Sequence, residues 1–121
     1  MTIEGNIVMK KKIIKPWGYE ILLEKNNKYM FKKLFMKKGH QCSLQFHKKK
    51  KETIFVLSGT LKIFFGKKNR LKSRLFKKGN ILTINPGIVH RMFGVTNSTY
   101  LEASTPEISD VVRIIDDYNR K

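Results

Sequence analysis

Between residues 13 and 105 the chain repeats one pattern: a short run rich in β-branched and aromatic residues, then a cluster of turn formers. YEILLEK (19–25), YMFKKLFM (29–36), SLQFH (43–47), TIFVLSG (53–59), TLKIFFG (60–66), NILTINPG (80–87), HRMFGV (90–95) and TYLEAS (99–104) read as strands. NN, KKG, SG, GKKN, KKGN, NPG and TNS lie between them, and these compositions favour turns. No stretch of about ten residues in this span carries a 3.6-residue apolar period with caps, so helices do not form the framework. Many short strands at close spacing imply an all-β fold, an antiparallel sandwich or barrel. Only the tail, ISDVVRIIDDYNR, suits either a helix or a last strand. Residues 1–12 read as a loose arm or an added edge strand, and residues 13–121 as the domain proper.

A chain of 121 residues, 40% of them hydrophobic, fits one domain with a packed interior. The single Cys42 excludes an internal disulfide, which suits a reducing compartment. No apolar run is long enough for a membrane span, and the lysines of MTIEGNIVMKKK follow its apolar stretch, the reverse of a secretory signal. The expected setting is cytoplasmic.

The net charge of +17 calls for a partner or a compositional cause. Nucleic-acid binders concentrate charge on one face and favour arginine forks. Here five arginines leave 21 lysines, spread from Lys10 to Lys121. That spread reads as lysine-biased composition and argues against a nucleic-acid groove. It still attracts anionic small molecules over long range, sugar phosphates and nucleotide sugars among them.

SLQFHKKKKE (43–52) admits two readings, a basic arm or a turn between two strand ends. Alternate residues of a strand share a face, so Gln45 and His47 point one way and Leu44 and Phe46 the other. Glu52 opens the next strand, and four lysines make a solvated turn that brings it back towards His47. In TIFVLSGTLKIFF the following strands return through Ser58-Gly59. PGIVH sets His90 just past a Pro86-Gly87 turn, where a strand could aim it inward. One amide, two imidazoles and a carboxylate form a mixed N/O set suited to one divalent transition metal, Zn, Mn, Fe, Co or Ni. The same residues also suit hydrogen-bonded structural roles, and the spacing leaves both readings open.

Gly39, Gln45-Phe46-His47, Glu52 and Gly59 resemble the first motif of the cupins, with Gln45 in place of its first histidine. Gly79 with Asn85-Pro86-Gly87-Ile88-Val89-His90 resembles the second. More narrowly, the chain is similar to the C-terminal cupin domain of type II mannose-6-phosphate isomerases, which are often fused to mannose-1-phosphate guanylyltransferases. KPWGYEIL (15–22), FKKLFMKKG (31–39), SLQFH (43–47) and SDVVRIIDDYNR (109–120) carry that likeness, over roughly residues 15–120. Departures include Lys15 and Lys50 where arginines are usual, Thr53-Ile54 for a His-Trp pair, and Asn119 for a glycine. The nucleotidyltransferase half has no counterpart in these residues.

The resemblance implies a cupin-type antiparallel β-barrel or jelly roll with Gln45, His47, Glu52 and His90 as metal ligands. It also implies a metal-dependent aldose–ketose isomerase of a mannose-6-phosphate-like sugar, working through a cis-enediolate. Glu102, or a metal-bound hydroxide, is then the proton carrier and Lys32 the second catalytic group, holding an enediolate oxygen or the phosphate, with Arg113 and Ser43 also towards phosphate or substrate; Lys15 is a further candidate at the rim. Lys32 alternates with Lys33, so one of the two faces the cavity. Trp17 packs the N-terminal strand over the barrel, and Cys42 reads as buried and inert. A homodimer is expected from the same likeness. Rival readings are another cupin enzyme on a sugar or small acid, a non-catalytic sugar or nucleotide-sugar binder, and a basic nucleic-acid module.

Overall fold

The computed structural model describes residues 11–118, and these form eleven strands with no helix among them. In chain order they are β1 (Lys11–Lys15), β2 (Gly18–Lys25), β3 (Met30–Met36), β4 (Leu44–Phe46), β5 (Glu52–Ser58), β6 (Thr60–Lys67), β7 (Arg70–Lys77), β8 (Ile81–Ile84), β9 (Val89–Gly94), β10 (Ser98–Ser104) and β11 (Val112–Ile115). They make a six-stranded sheet, β1-β2-β3-β10-β5-β8, and a five-stranded sheet, β11-β4-β9-β6-β7. All pairings are antiparallel. Most of the expected arm (residues 1–10), and Asn119-Arg120 of the closing motif, lie outside the described residues. No helix among the described residues is long and apolar enough to cross a membrane.

The period of two in the sequence becomes one buried face on each sheet. Leu34 and Met36 of β3, Ile54 and Val56 of β5 and Tyr100 of β10 face Leu61 and Ile63 of β6, Phe76 of β7 and Met92 of β9. Each fully buried aliphatic side chain contributes about 1.5–3 kcal/mol relative to exposure, so this seam holds the two sheets together. Trp17 joins the same core, as expected.

Two expectations change, and one open reading is decided. Ser58-Gly59 does not close a hairpin, because β5 belongs to one sheet and β6 to the other. The chain crosses between sheets there; Gly59 has φ +81°, and a Cβ on it would lie 2.2 Å from the Asn97 carbonyl oxygen. The tail resolves to strand, with β11 pairing β4. β7 has no counterpart among the expected strands: RLKSRLFK exposes every residue except Phe76, so charge masks its alternation.

Candidate metal centre and active site

The described fold brings the two histidines and Glu52 together from three separate places. His47 follows the end of β4, Glu52 is the first residue of β5, and His90 is the second of β9. The turn between the first two is pinned by Asp110, whose carboxylate accepts the backbone N–H groups of Lys48, Lys49 and Lys50 at 3.0, 2.6 and 2.9 Å. Those three bonds hold the Asp110 carboxyl down at about 2, below the usual aspartate range. The Asn85-Pro86-Gly87 turn is pinned too: Gly87, at φ +85°, donates its N–H to the His47 carbonyl at 2.7 Å. One hydrogen bond therefore ties the two sequence motifs to each other.

The donor atoms of His47, Glu52 and His90 all lie within 4.8 Å of one another, and all three side chains are buried. Glu52 Oε1 stands 3.4 Å from His47 Nε2 and 3.0 Å from His90 Nε2. His47 Nδ1 meets the Asp110 carbonyl oxygen, and His90 Nδ1 meets that of Ile88 at 3.0 Å. A carbonyl only accepts, so the proton of each neutral ring sits on Nδ1 and the Nε2 lone pair points at Glu52. Both Nε2 atoms are buried without a hydrogen-bond partner. Two lone pairs and a carboxylate oxygen converging in a dry site repel one another unless a positive centre lies between them, a proton or a metal cation. The residues thus fit a divalent metal. Burial works to raise the Glu52 carboxyl; where the positive centre is a proton, hydrogen bonds from the protonated imidazoles, with the charge of Lys50, outweigh burial and hold the group well below its ordinary value.

Gln45 stands opposite His90 in the β4–β9 pair and opposite Arg113 in the β11–β4 pair, so the three share a face. All three line one cavity of about 300 Å³, together with Lys32, Glu102, His47 and Glu52. Lys32 and Glu102 are cross-strand neighbours on β3 and β10. Lys32, not Lys33, is the lysine that faces inward, and its Nζ lies 3.6 Å from Glu20 Oε1. Lys15 also lines the cavity and stands 3.8 Å from the same oxygen. Ser43 is buried behind this wall, where its hydroxyl donates to Gln45 Oε1 at 2.6 Å. That bond orients the Gln45 amide, and Ser43 itself is not among the residues that line the cavity. His40, which carried no expected role, binds the Lys38 carbonyl instead.

Lys50 corrects the reading of the four lysines as a solvated turn. Lys48, Lys49 and Lys51 are exposed, but Lys50 is buried, with Nζ 3.6 Å from Glu52 Oε2 and 3.6 Å from Glu102 Oε2. Strand alternation back from Glu52 would have aimed it inward, yet its place in a lysine run hid that signal. Burial, the largest influence, and the negative Glu52 push the Glu102 carboxyl up to about 8, against the pull of Lys50 and Lys32. Asp110 was likewise not singled out, because nothing local in SDVVR marks a residue that caps a turn about 60 positions earlier. Cys42 is buried as expected, with its thiol 3.9 Å from the Met92 sulfur.

Residues 4–115 match the protein family described as mannose-6-phosphate isomerase C-terminal. Mannose-1-phosphate guanylyltransferase 2 of Escherichia coli O157:H7 is 30% identical over 100 residues, which cover 78% of this chain and 21% of that protein. The chain therefore spans about a fifth of that curated relative. CapF of Staphylococcus aureus, a capsular polysaccharide assembling protein, superposes with a TM-score of 0.75 at 18% identity, over 87% of this chain and 34% of that one. Oxalate decarboxylase of Bacillus subtilis gives 0.77 at 13% identity, over 87% and 30%. KdgF of a Halomonas species gives 0.71 at 11% identity, over 83% and 89%. At such identities the structural likeness speaks for the fold alone, and the fold and the family match agree: the chain belongs to the mannose-6-phosphate isomerase C-terminal family of cupin domains.

Proposed function

We propose that this domain is a metal-dependent aldose–ketose isomerase acting on a mannose-6-phosphate-like sugar phosphate. The observation that carries the reading is the juxtaposition of Glu102, Lys50 and the His47–Glu52–His90 cluster on the walls of one cavity. A divalent transition metal, Zn, Mn, Fe, Co or Ni, held by His47, Glu52 and His90 with Gln45 beside them, would supply a Lewis acid for the sugar oxygens.

The chain's own groups account for the proton traffic. Glu102 in its carboxylate form takes the proton from C2; the C2–H electron pair becomes the C1=C2 bond, and the C1 carbonyl electrons move onto O1, giving a cis-enediolate. Glu102 then returns the proton to C1 while the C2 oxygen becomes the new carbonyl, so the hydroxyl proton lost at O2 is balanced by one gained at O1. A carboxyl buried beside a second acid is suited to hold and release a proton near neutrality. Lys50 balances the charge of both acids, so the Glu102 proton can come and go without leaving two bare carboxylates. Lys32 and Arg113, on different sheets, would receive the phosphate. Trp17, Leu34, Met92 and Val111 supply apolar walls that keep water from the intermediate.

The test is interconversion of mannose 6-phosphate and fructose 6-phosphate by protein loaded from a panel of divalent metals, run in deuterated water. Turnover with deuterium appearing at the C1 or C2 position is the expected result. Sugar-phosphate binding without turnover under any metal would replace the enzyme with a binding domain.

A further inference from the structure

The acidic residues of this chain are segregated along it. Residues 53–101 contain no aspartate or glutamate, and residues 67–78 alone hold seven lysines and arginines. The strand β7 lies in the middle of that segment, at the edge of the five-stranded sheet; among the described residues nothing pairs with its far side. All seven cations are exposed, and none makes an ion pair among the described residues.

β7 also alternates. Arg70, Lys72 and Arg74 share the face that ends in buried Phe76, and Leu71 and Leu75 lie on the other with Ser73 and Lys77. The two leucines stand in the open, at 36% and 54% exposure. An edge guarded only against aggregation carries charge and hides its apolar surface, whereas this one presents both. An eight-residue edge whose outer side is unpaired, with three cations on one face and two leucines on the other, defines the complement: an extended strand whose acidic residues alternate with apolar ones. A second copy of this chain would bring the same cations face to face. A nucleic acid would meet the charge but leave the leucines and the free backbone groups unused.

We propose that β7 is a docking edge for an acidic, alternating β-strand of a partner protein, which extends the five-stranded sheet by one strand. The proposal is independent of the chemistry assigned to the cavity, which this edge does not line.

The probe is a fluorescent peptide alternating Glu and Val, of the same eight-residue length as β7, with binding read by anisotropy on the intact protein. Three companions accompany it: the same peptide N-methylated at every second residue, the protein carrying Lys72→Glu and Arg74→Glu, and a single-stranded oligonucleotide of at least equal charge. Binding of the plain peptide, weakened by about tenfold or more both by N-methylation and by the double substitution, is the expected result. Thermal unfolding of the variant checks that it remains folded, as substitution of two exposed side chains allows. Equal binding of the N-methylated peptide would overturn strand addition in favour of bare charge attraction. Tighter binding of the oligonucleotide at about 0.15 M salt would turn the surface into a nucleic-acid site. No binding of the plain peptide would remove the docking edge altogether.

Discussion

Lys50 holds its ammonium 3.6 Å from the Glu102 carboxylate, with both side chains buried. The same ammonium reaches Glu52 at equal distance, so one cation serves two acids taken out of water. Burial works against the charged lysine, but Glu102 and Glu52 outweigh it, and its pKa is raised rather than lowered. Replacing it by Met leaves the pair without a counter-charge, a loss that ordinarily costs about 3–5 kcal/mol. Glu102, whose carboxyl is pushed up to about 8, mostly holds its proton near neutrality, so the lower end of that range is expected. Lys50→Arg, which preserves the charge, retains most of the stability. Urea unfolding of the two variants decides the point, and a Lys50→Met protein as stable as its parent would show that the bridge contributes nothing net.

The inward lone pairs of His47 and His90 lead to a prediction that needs no substrate. A divalent cation that binds only the folded site stabilises it by about 2.7 kcal/mol at a hundredfold excess over Kd, which for a domain of this size raises Tm by about 10 °C. Zn, Mn, Co and Ni should be compared by thermal unfolding and by metal analysis of the purified protein. His47→Ala combined with His90→Ala abolishes both the shift and the bound metal. Gln45→Ala weakens them less, since the amide contributes a neutral oxygen where the others contribute two imidazoles and a charge. A shift that survives the double substitution would place the cation elsewhere.

The strands of the core were legible because short β-branched and aromatic runs end at turn formers. In TIFVLSG the run Ile54-Phe55-Val56-Leu57 is apolar and stops at Ser58-Gly59, a pattern that needs no tertiary knowledge, though which of its residues are buried, Ile54 and Val56, does not follow from it. The likeness of Gln45, His47, Glu52 and His90 to cupin motifs was legible for a different reason: their spacing from Gly39, Gly59 and Pro86-Gly87 is itself the motif. What stayed hidden depends on contacts far apart in sequence. Lys50 is buried only because β10 brings Glu102 beside it, and the Asp110 cap works across about 60 residues. β7 was hidden by composition, since an exposed edge strand that buries only Phe76 leaves little apolar signature.

Glu102→Gln separates the proposed proton carrier from the binding site. The amide keeps the size of the side chain but cannot take a proton from carbon, so kcat for sugar-phosphate isomerisation should fall by about 10²–10⁴ with KM nearly unchanged. Deuterium exchange from solvent into the substrate disappears with it, and the metal content stays that of the parent, because Glu102 is not among the candidate ligands. Retention of exchange in the variant would move the proton transfer to another group.

Cys42 supplies a prediction at alkaline pH. Burial is the main cause that pushes its thiol up to about 11, only slightly offset by the Met92 N–H that faces the sulfur. Below about pH 9 the thiol is protonated both folded and unfolded, and it contributes nothing to the pH dependence. Between about 9 and 11 the unfolded chain has released a proton that the folded chain still holds; the folded state binds more protons there, so stability falls as pH rises. Above the folded value both forms are ionised and the loss levels off. Comparison with Cys42→Ala cancels the lysines and tyrosines that titrate in the same range. The stability advantage of the parent over the variant should therefore shrink across that window, and the folded parent should resist alkylation at pH 8 until denaturant exposes the thiol. Rapid alkylation of the native protein would mean that the sulfur is reached through the cavity it lines.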